Sequence, residues 1–192
     1  MMESTLQWTS RDLEALPEDG SRYEIIDGEL FVSKQPHYYH QRACAKLVFS
    51  LEAWSRETGL GEVTGAPGLI FAEDNDVAPD IAWTSFERLR TALGSDGKLH
   101  AAPDLVVEVL SPGASNERRD REAKLRLYSR RGVHEYWIVD WIARQIEVYR
   151  REDAQLSLVS TLYESDTLAS PLLPEFSLPV AELFKGFPPR AE

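Results

Sequence analysis

Cysteine is nearly missing from this sequence. Cys44 stands alone, which excludes an intramolecular disulfide, and its place in a helical pattern reads as that of a small core residue. Long apolar runs are missing too: no stretch approaches the ~18 residues needed to cross a bilayer. The opening MMESTLQWTS lacks the basic and apolar regions of a signal peptide, so the cytoplasm is the expected compartment. Positive charge is scarce, with 21 Lys and Arg against 32 Asp and Glu and a net charge of −11. That balance argues against a broad nucleic-acid-binding surface, which needs Lys and Arg to neutralise phosphates. Repeats, low-complexity segments and linker-like stretches are absent as well.

What remains is an ordinary globular composition, 43% apolar and 28% charged over 192 residues, long enough for a sizeable core. It is read as one domain over 1–192, with a core from about 20 to 165 and a tail wrapped around it afterwards. The scarce positive charge is concentrated. Residues 116–131 hold seven basic side chains against three acids, a local +4, leaving −15 for the remainder. Such a run is commonly just a solvated helix face.

That helix follows the stretch on which the chain is centred, PDLVVEVLSPGASNERRDREAK, residues 103–124. Period-two alternation places Asp104, Val106, Glu108 and Leu110 on one strand face and Leu105, Val107 and Val109 on the other. An acid inside such a strand is costly to bury without a partner. Ser111-Pro112-Gly113 ends the strand, and a helix is predicted from Asn116 to Arg131, closed by Gly132. On it Asp120, Lys124 and Tyr128 form one i, i+4, i+8 stripe. Glu108 beside that stripe is either a structural ion pair or a site.

Around this centre, Thr9 with Asp12 predicts a capped short helix ending before Pro17. Tyr23–Asp27 and Glu29–Ser33 read as a hairpin turning at Asp27-Gly28. His37–Thr58 carries a helical period in Cys44, Leu47, Val48, Leu51 and Trp54 and stops at Gly59. Gly68–Ala72 and Asp80–Thr84 are expected strands flanking a polar turn at 73–76. Phe86–Leu93 reads as a short helix and Gly94–Ala102 as a loop. His134–Asp140, Gln145–Arg150 and Leu156–Tyr163 follow as strands, the first two a hairpin. Pro171, Pro174 and Pro179 make Leu168–Leu183 a wrapped tail ending in a short helix. The order favours an α/β or α+β fold, a mixed central sheet with helices packed on it.

Two Pro-Asp pairs offer an acid to join Glu108. Asp104 lies four residues away on the same strand, roughly 13 Å at ~3.3 Å per residue, too far to share a metal whose oxygen ligands sit at about 2.0–2.6 Å. Asp80, opening a different strand, meets Glu108 if the two strands are neighbours. Unless a cation intervenes, the two carboxylates repel and at least one pKa should be raised. His37 and His40 at i, i+3 make no metal site by themselves, no cysteine standing close by, and are expected in structural or substrate-contact roles. His100 and His134 carry no signal, and Asp140 reads as a turn residue.

The stretches YEIIDGEL, APDIAW, PDLVVEVLSP, DREAKLRLY and GVHEYWIVD, with His40 at the start of the long helix, resemble in order and spacing the Uma-type restriction-endonuclease family. That family is a branch of the PD-(D/E)xK nuclease superfamily. The resemblance runs from Glu24 to Asp140 and implies a restriction-endonuclease-like sheet whose acids bind a divalent cation, Mg²⁺ or Mn²⁺. By residue, it implies Asp80 and Glu108 as the metal-binding catalytic acids and Lys124 as the catalytic lysine. The lysine of the superfamily's simplest pattern would stand two positions after the acid, where this chain has Leu110; the Uma-type family commonly carries it on the next helix. Arg121 and Arg126 are further sources of charge there. Glu24 is implied as a possible third acid, with an ordinary hairpin surface residue as the other reading. The function implied is a metal-dependent DNA endonuclease. A single small domain that must cut two strands is expected to pair as a two-fold homodimer, with Tyr38-Tyr39 and Trp141-Ile142 either as contact surface or packed in the core. The alternatives are an inactive nuclease-fold scaffold or interaction protein, and a metal-free two-carboxylate hydrolase.

Overall fold

The computed structural model describes residues 7–189. Helix α1 (Ser10–Leu13) opens on the expected cap: the Thr9 N–H and hydroxyl both lie 2.8 Å from an Asp12 carboxylate oxygen. Strands β1 (Arg22–Ile26) and β2 (Glu29–Ser33) pair antiparallel with Ile26 facing Glu29. The two-residue turn between them needs positive φ at both positions, and Asp27 at 52° and Gly28 at 76° supply it. Helix α2 (Tyr38–Thr58) starts where the His37 ring accepts the Tyr39 N–H and ends at Gly59 with φ 64°.

Then come β3 (Gly61–Gly65), β4 (Leu69–Ala72), β5 (Asn75–Val77), β6 (Ile81–Ser85), α3 (Phe86–Ala92) and β7 (Leu105–Val109). The polar 73–76 stretch is therefore only in part a turn, and the strand it leads into is β5 before β6. It tightens into a β4–β5 hairpin, and Asn75 and Asp76 are themselves strand residues. Helix α4 (Ala114–Arg118) leads into a π-helical turn, Arg119–Lys124, and that into α5 (Leu125–Arg131). β8 (Glu135–Asp140), β9 (Gln145–Glu152) and β10 (Gln155–Leu162) follow. The tail is more ordered than its prolines imply: β11 (Thr167–Ser170) and β12 (Leu173–Pro179) form a hairpin before α6 (Val180–Phe184). Pro171 lies in its turn, and in a two-stranded ribbon Pro174 and Pro179 have an open side for the missing donor.

Beside that two-stranded pair, the described residues form two larger sheets, in the orders β10-β9-β8-β7-β6-β3 and β2-β1-β5-β4. The first is mixed, because β7 and β8 run parallel while their other neighbours are antiparallel. Parallel pairing requires a crossover, and the α4–π–α5 segment is that crossover. On one face of this sheet Leu105, Val107 and Val109 pack with Leu47, Leu51 and Trp54 of α2 and with Phe176 and Phe184 of the tail. On the other, Val106 and Leu110 pack with Leu127, Tyr128 and Tyr136 and with Ile26 and Val77 of the second sheet. The predicted alternation along β7 thus holds, and Glu108 belongs to the second face. Among the described residues no helix is long and apolar enough to cross a membrane.

Candidate active site

Strand register brings the two acids together. β6 and β7 pair with Ile81 opposite Val107 and Ala82 opposite Val106, so the next step sets Asp80 across from Glu108. The Val109 N–H donates to Asp80 Oδ2 at 2.9 Å, clamping the aspartate over the end of β7. Asp104, the other Pro-Asp acid, sits at the far end of the strand. It accepts from the Ser85 N–H at 2.7 Å and pairs with Arg88 at 3.1 Å, holding the start of α3.

Glu108 is 1% exposed and satisfied from the crossover. Lys124 Nζ donates to its Oε1 at 2.8 Å and the Tyr128 hydroxyl to the same oxygen at 3.0 Å. Lys124, with no exposed surface, also reaches Glu24 Oε1 at 2.9 Å and lies 3.9 Å from Asp120. The Asp120–Lys124–Tyr128 stripe therefore faces Glu108 as its spacing implied. Glu24 is not a hairpin surface residue. It is buried, takes the Ala78 N–H at 2.9 Å on Oε1, and leaves Oε2 without a hydrogen-bond partner, 3.9 Å from Arg119.

The π-helical turn makes this density possible. One residue too many in the turn lets Arg119 and Asp120, then Ala123 and Lys124, all point inward. The backbone disturbance is compensated from the sheet, where the Tyr136 hydroxyl donates to the Asp120 carbonyl at 3.0 Å. Arg119 lies along Asp120 at 2.8 Å. Arg121 is directed elsewhere, toward Glu147 and Asp140. Arg126 lines an outer groove.

Burial pushes the Glu108 carboxyl up to about 8; Asp80, Asp120 and Glu24 push the same way, and Lys124 opposes them. Burial acts on Asp80 too, but the hydrogen bond and charge of His40, then Lys124 and the Val109 N–H, hold its carboxyl well below the usual range. Lys124 is raised despite burial, because Glu108, Glu24 and Asp120 favour the ammonium. The expected repulsion thus falls on one acid of the pair. A shared proton or a cation would relieve it. In type the two side chains suit a hard divalent cation, since Asp80 and Glu108 offer carboxylate oxygens from facing strands.

Arg22 and Arg119 escaped sequence reasoning, and His40, read there only as structural or substrate-contacting, meets Asp80 directly. Arg22 of β1 donates to Asp80 Oδ1 at 3.1 Å, and His40 Nε2 meets Asp80 Oδ2 at 3.1 Å. Arg119 gave no signal apart from the general basic run. Cys44, expected in the core, is half-buried, and its sulfur lies 3.7 Å from His40 Nδ1. The expectation that no cysteine stands near the histidines is therefore wrong: one helical turn brings His40 and Cys44 together. On its Asp80 side the cluster opens into a cleft of about 150 Å³ lined by Arg22, Lys34, His40, Ser111 and Arg119. A groove of about 290 Å³ shares Arg119 and adds Arg118 and Arg126. The concentrated positive charge thus borders the acids.

One solved structure shares this architecture over nearly its whole length. The chain is similar in structure to "a putative nuclease belonging to DUF820" from Anabaena variabilis ATCC 29413, with a TM-score of 0.72 at 19% identity, over 92% of this chain and 97% of that one. The type IIG restriction endonuclease BpuSI gives a TM-score of 0.39 at 16% identity, over 67% of this chain and 14% of that one. No curated protein matches the sequence. The profile of the Uma2 family, described as "Putative restriction endonuclease", matches residues 10–181. With nearly its whole length covered, the chain belongs to the Uma2 family.

Proposed function

We propose that this protein is a divalent-metal-dependent endonuclease hydrolysing phosphodiester bonds in DNA, with Asp80 and Glu108 as the metal-binding acids. The observation that supports the reading is the β6–β7 register, which sets Asp80 opposite Glu108 beside a cleft with a basic rim. A bound Mg²⁺ or Mn²⁺ lowers the pKa of its water and neutralises charge on the phosphate. Arg22, Lys34 and Arg119 at the cleft are placed to bind phosphate oxygens. His40 donates to Asp80 and fixes one carboxylate oxygen, as partners behind a metal ligand do. Lys124 acts as a permanent cation. An ammonium whose pKa is raised is a poor base near neutral pH, so its work is to hold Glu108 and Glu24 in register and offset their charge. Exposed Tyr38 and Ile142 are available for a two-fold pairing that would present two clefts to two strands; Tyr39 and Trp141 instead pack against each other with tilted rings.

A second reading has its own support. Glu24, Glu108, Asp120 and Lys124 are each 1% exposed or less and pair with one another, as in a structural network of a fold that has lost its chemistry. Plasmid nicking separates the two. The endonuclease cleaves with Mg²⁺ or Mn²⁺, stops with chelator, and is abolished by Asp80→Ala and Glu108→Ala. Cleavage unaffected by those substitutions, or no cleavage under any metal, would refute it.

A further inference from the structure

We propose that His40, Cys44 and Asp80 form a second metal site, suited to a borderline transition metal such as Zn²⁺ and sharing Asp80 with the endonuclease cation. One ligand atom from each lies within 4.8 Å of the others. His40 and Cys44 stand one turn apart on α2, and Asp80 opens the facing strand, so all three donors are carried by packed elements. The sulfur is 3.7 Å from His40 Nδ1 and Asp80 Oδ2 is 3.1 Å from His40 Nε2. Zinc–sulfur bonds of about 2.3 Å and zinc–nitrogen or zinc–oxygen bonds of about 2.0–2.2 Å in tetrahedral array separate ligand atoms by roughly 3.4–3.6 Å. The two short contacts use opposite ring nitrogens; with a single nitrogen the three donor atoms lie within 4.8 Å of one another, so closing on a metal takes a turn of the imidazole and a small inward shift of the donors.

In the metal-free arrangement the imidazole bridges the thiol and the carboxylate. Coordination turns the ring so that one nitrogen faces both partners. The Cys44 S–H bond then breaks, its proton passes to solvent, and a sulfur–metal bond forms; the imidazole stays neutral and keeps its other N–H. Three protein ligands leave a fourth position for water, and His40 and Asp80 both line the cleft from which that water comes. A thiolate and an imidazole are poor ligands for Mg²⁺ and good ones for zinc, so the site discriminates by donor softness and not by size. Burial, with Asp80 and Glu108, raises the thiol's pKa, but the same negative surroundings attract a dication. Occupancy takes a carboxylate oxygen of Asp80 from the neighbouring hard-cation site, so Zn²⁺ acts as an inhibitor that Mg²⁺ competes against. This consequence rests on the endonuclease reading; the site itself does not.

The test is a titration of the whole chain with Co²⁺ and then Zn²⁺ at constant ionic strength, with Cys44→Ser alongside. Expected is one equivalent of Co²⁺ with a near-ultraviolet thiolate-to-cobalt band, displaced by Zn²⁺, and a rise in Tm with Zn²⁺. In Cys44→Ser, whose fold is checked by circular dichroism, the band vanishes. Its zinc affinity falls by roughly a hundredfold or more, since an outer partner alone is worth about 10–100-fold. A parent without the thiolate band overturns the site, whatever the variant does; so does equal zinc affinity in parent and variant. Metal-dependent cleavage without the band would refute this site and leave the endonuclease standing. The band without cleavage under any metal would refute the endonuclease and leave this site.

Discussion

Metal binding at Asp80 and Glu108 should be coupled to pH, and the coupling can be worked from the structure. A ligand that binds the folded protein alone stabilises it by RT ln(1 + [L]/Kd), about 2.7 kcal/mol at a hundred times Kd. For a chain of this size each kcal/mol moves Tm by roughly 2–4 °C, so saturating Mg²⁺ should raise it by about 5–11 °C. The Glu108 carboxyl sits at about 8, so below that pH the ion must displace a proton, and apparent affinity falls about tenfold per pH unit. Between pH 8.5 and pH 6 the same Mg²⁺ concentration drops from about a hundred times Kd to roughly Kd itself. The stabilisation then shrinks to about 0.4 kcal/mol, a shift of ~1–2 °C. Without metal the sign reverses. A carboxyl whose pKa is raised above its unfolded value of 4.5 contributes stability below that value and loses it as pH rises through 8. The metal-free protein should therefore become less stable from pH 5 to 8, and Glu108→Gln should flatten that slope and remove most of the Mg²⁺ response. Differential scanning fluorimetry over pH, with monovalent salt matched to the ionic strength of the Mg²⁺ samples, measures all three. An Mg²⁺ shift equal at pH 6 and 8.5, or unchanged in Glu108→Gln, would mean that the cation binds elsewhere.

Lys124→Met leaves Glu24 and Glu108 buried without their shared cation and should cost about 3–5 kcal/mol, lowering Tm by roughly 6–20 °C; a near-neutral result would contradict the buried geometry. His40→Ala removes the principal hydrogen bond that keeps Asp80 ionised. Because a depressed carboxylate contributes stability above its unfolded value of 3.8 and loses it as pH falls, the variant's acid unfolding should begin at higher pH than the parent's. Arg126→Ala, in the outer groove, should lower DNA affinity and reduce the slope of log K against log salt by about 1; an unchanged slope places the strand elsewhere. Sedimentation at micromolar concentration tests the two-fold pairing, and a monomer throughout would remove it.

Local chemistry made much of this protein legible in its sequence. The Asp27-Gly28 turn, the Thr9–Asp12 cap and the Gly59 stop depend on a few neighbouring residues, and each formed as read. So did the alternation that puts Glu108 on one face of β7, and the stripe that turns Lys124 and Tyr128 toward it, because both follow from the geometry of a single element. The choice of Asp80 over Asp104 followed from distance along one strand. What needed the tertiary structure was everything set by the meeting of distant segments. The 73–76 stretch joined a second sheet because β1 offered its open edge to β5. That same sheet buries Glu24, a position hairpin residues seldom occupy, and so gives Lys124 a second carboxylate. Arg22 and His40 reach Asp80 from two different elements, and a one-residue expansion of the helical turn brings Arg119 inward to face Glu24 of β1. Periodicity can say which face of an element a side chain occupies. Which charge it will find there depends on how elements far apart in the chain pack, and the cost of burying an acid alone ensures that some cation does.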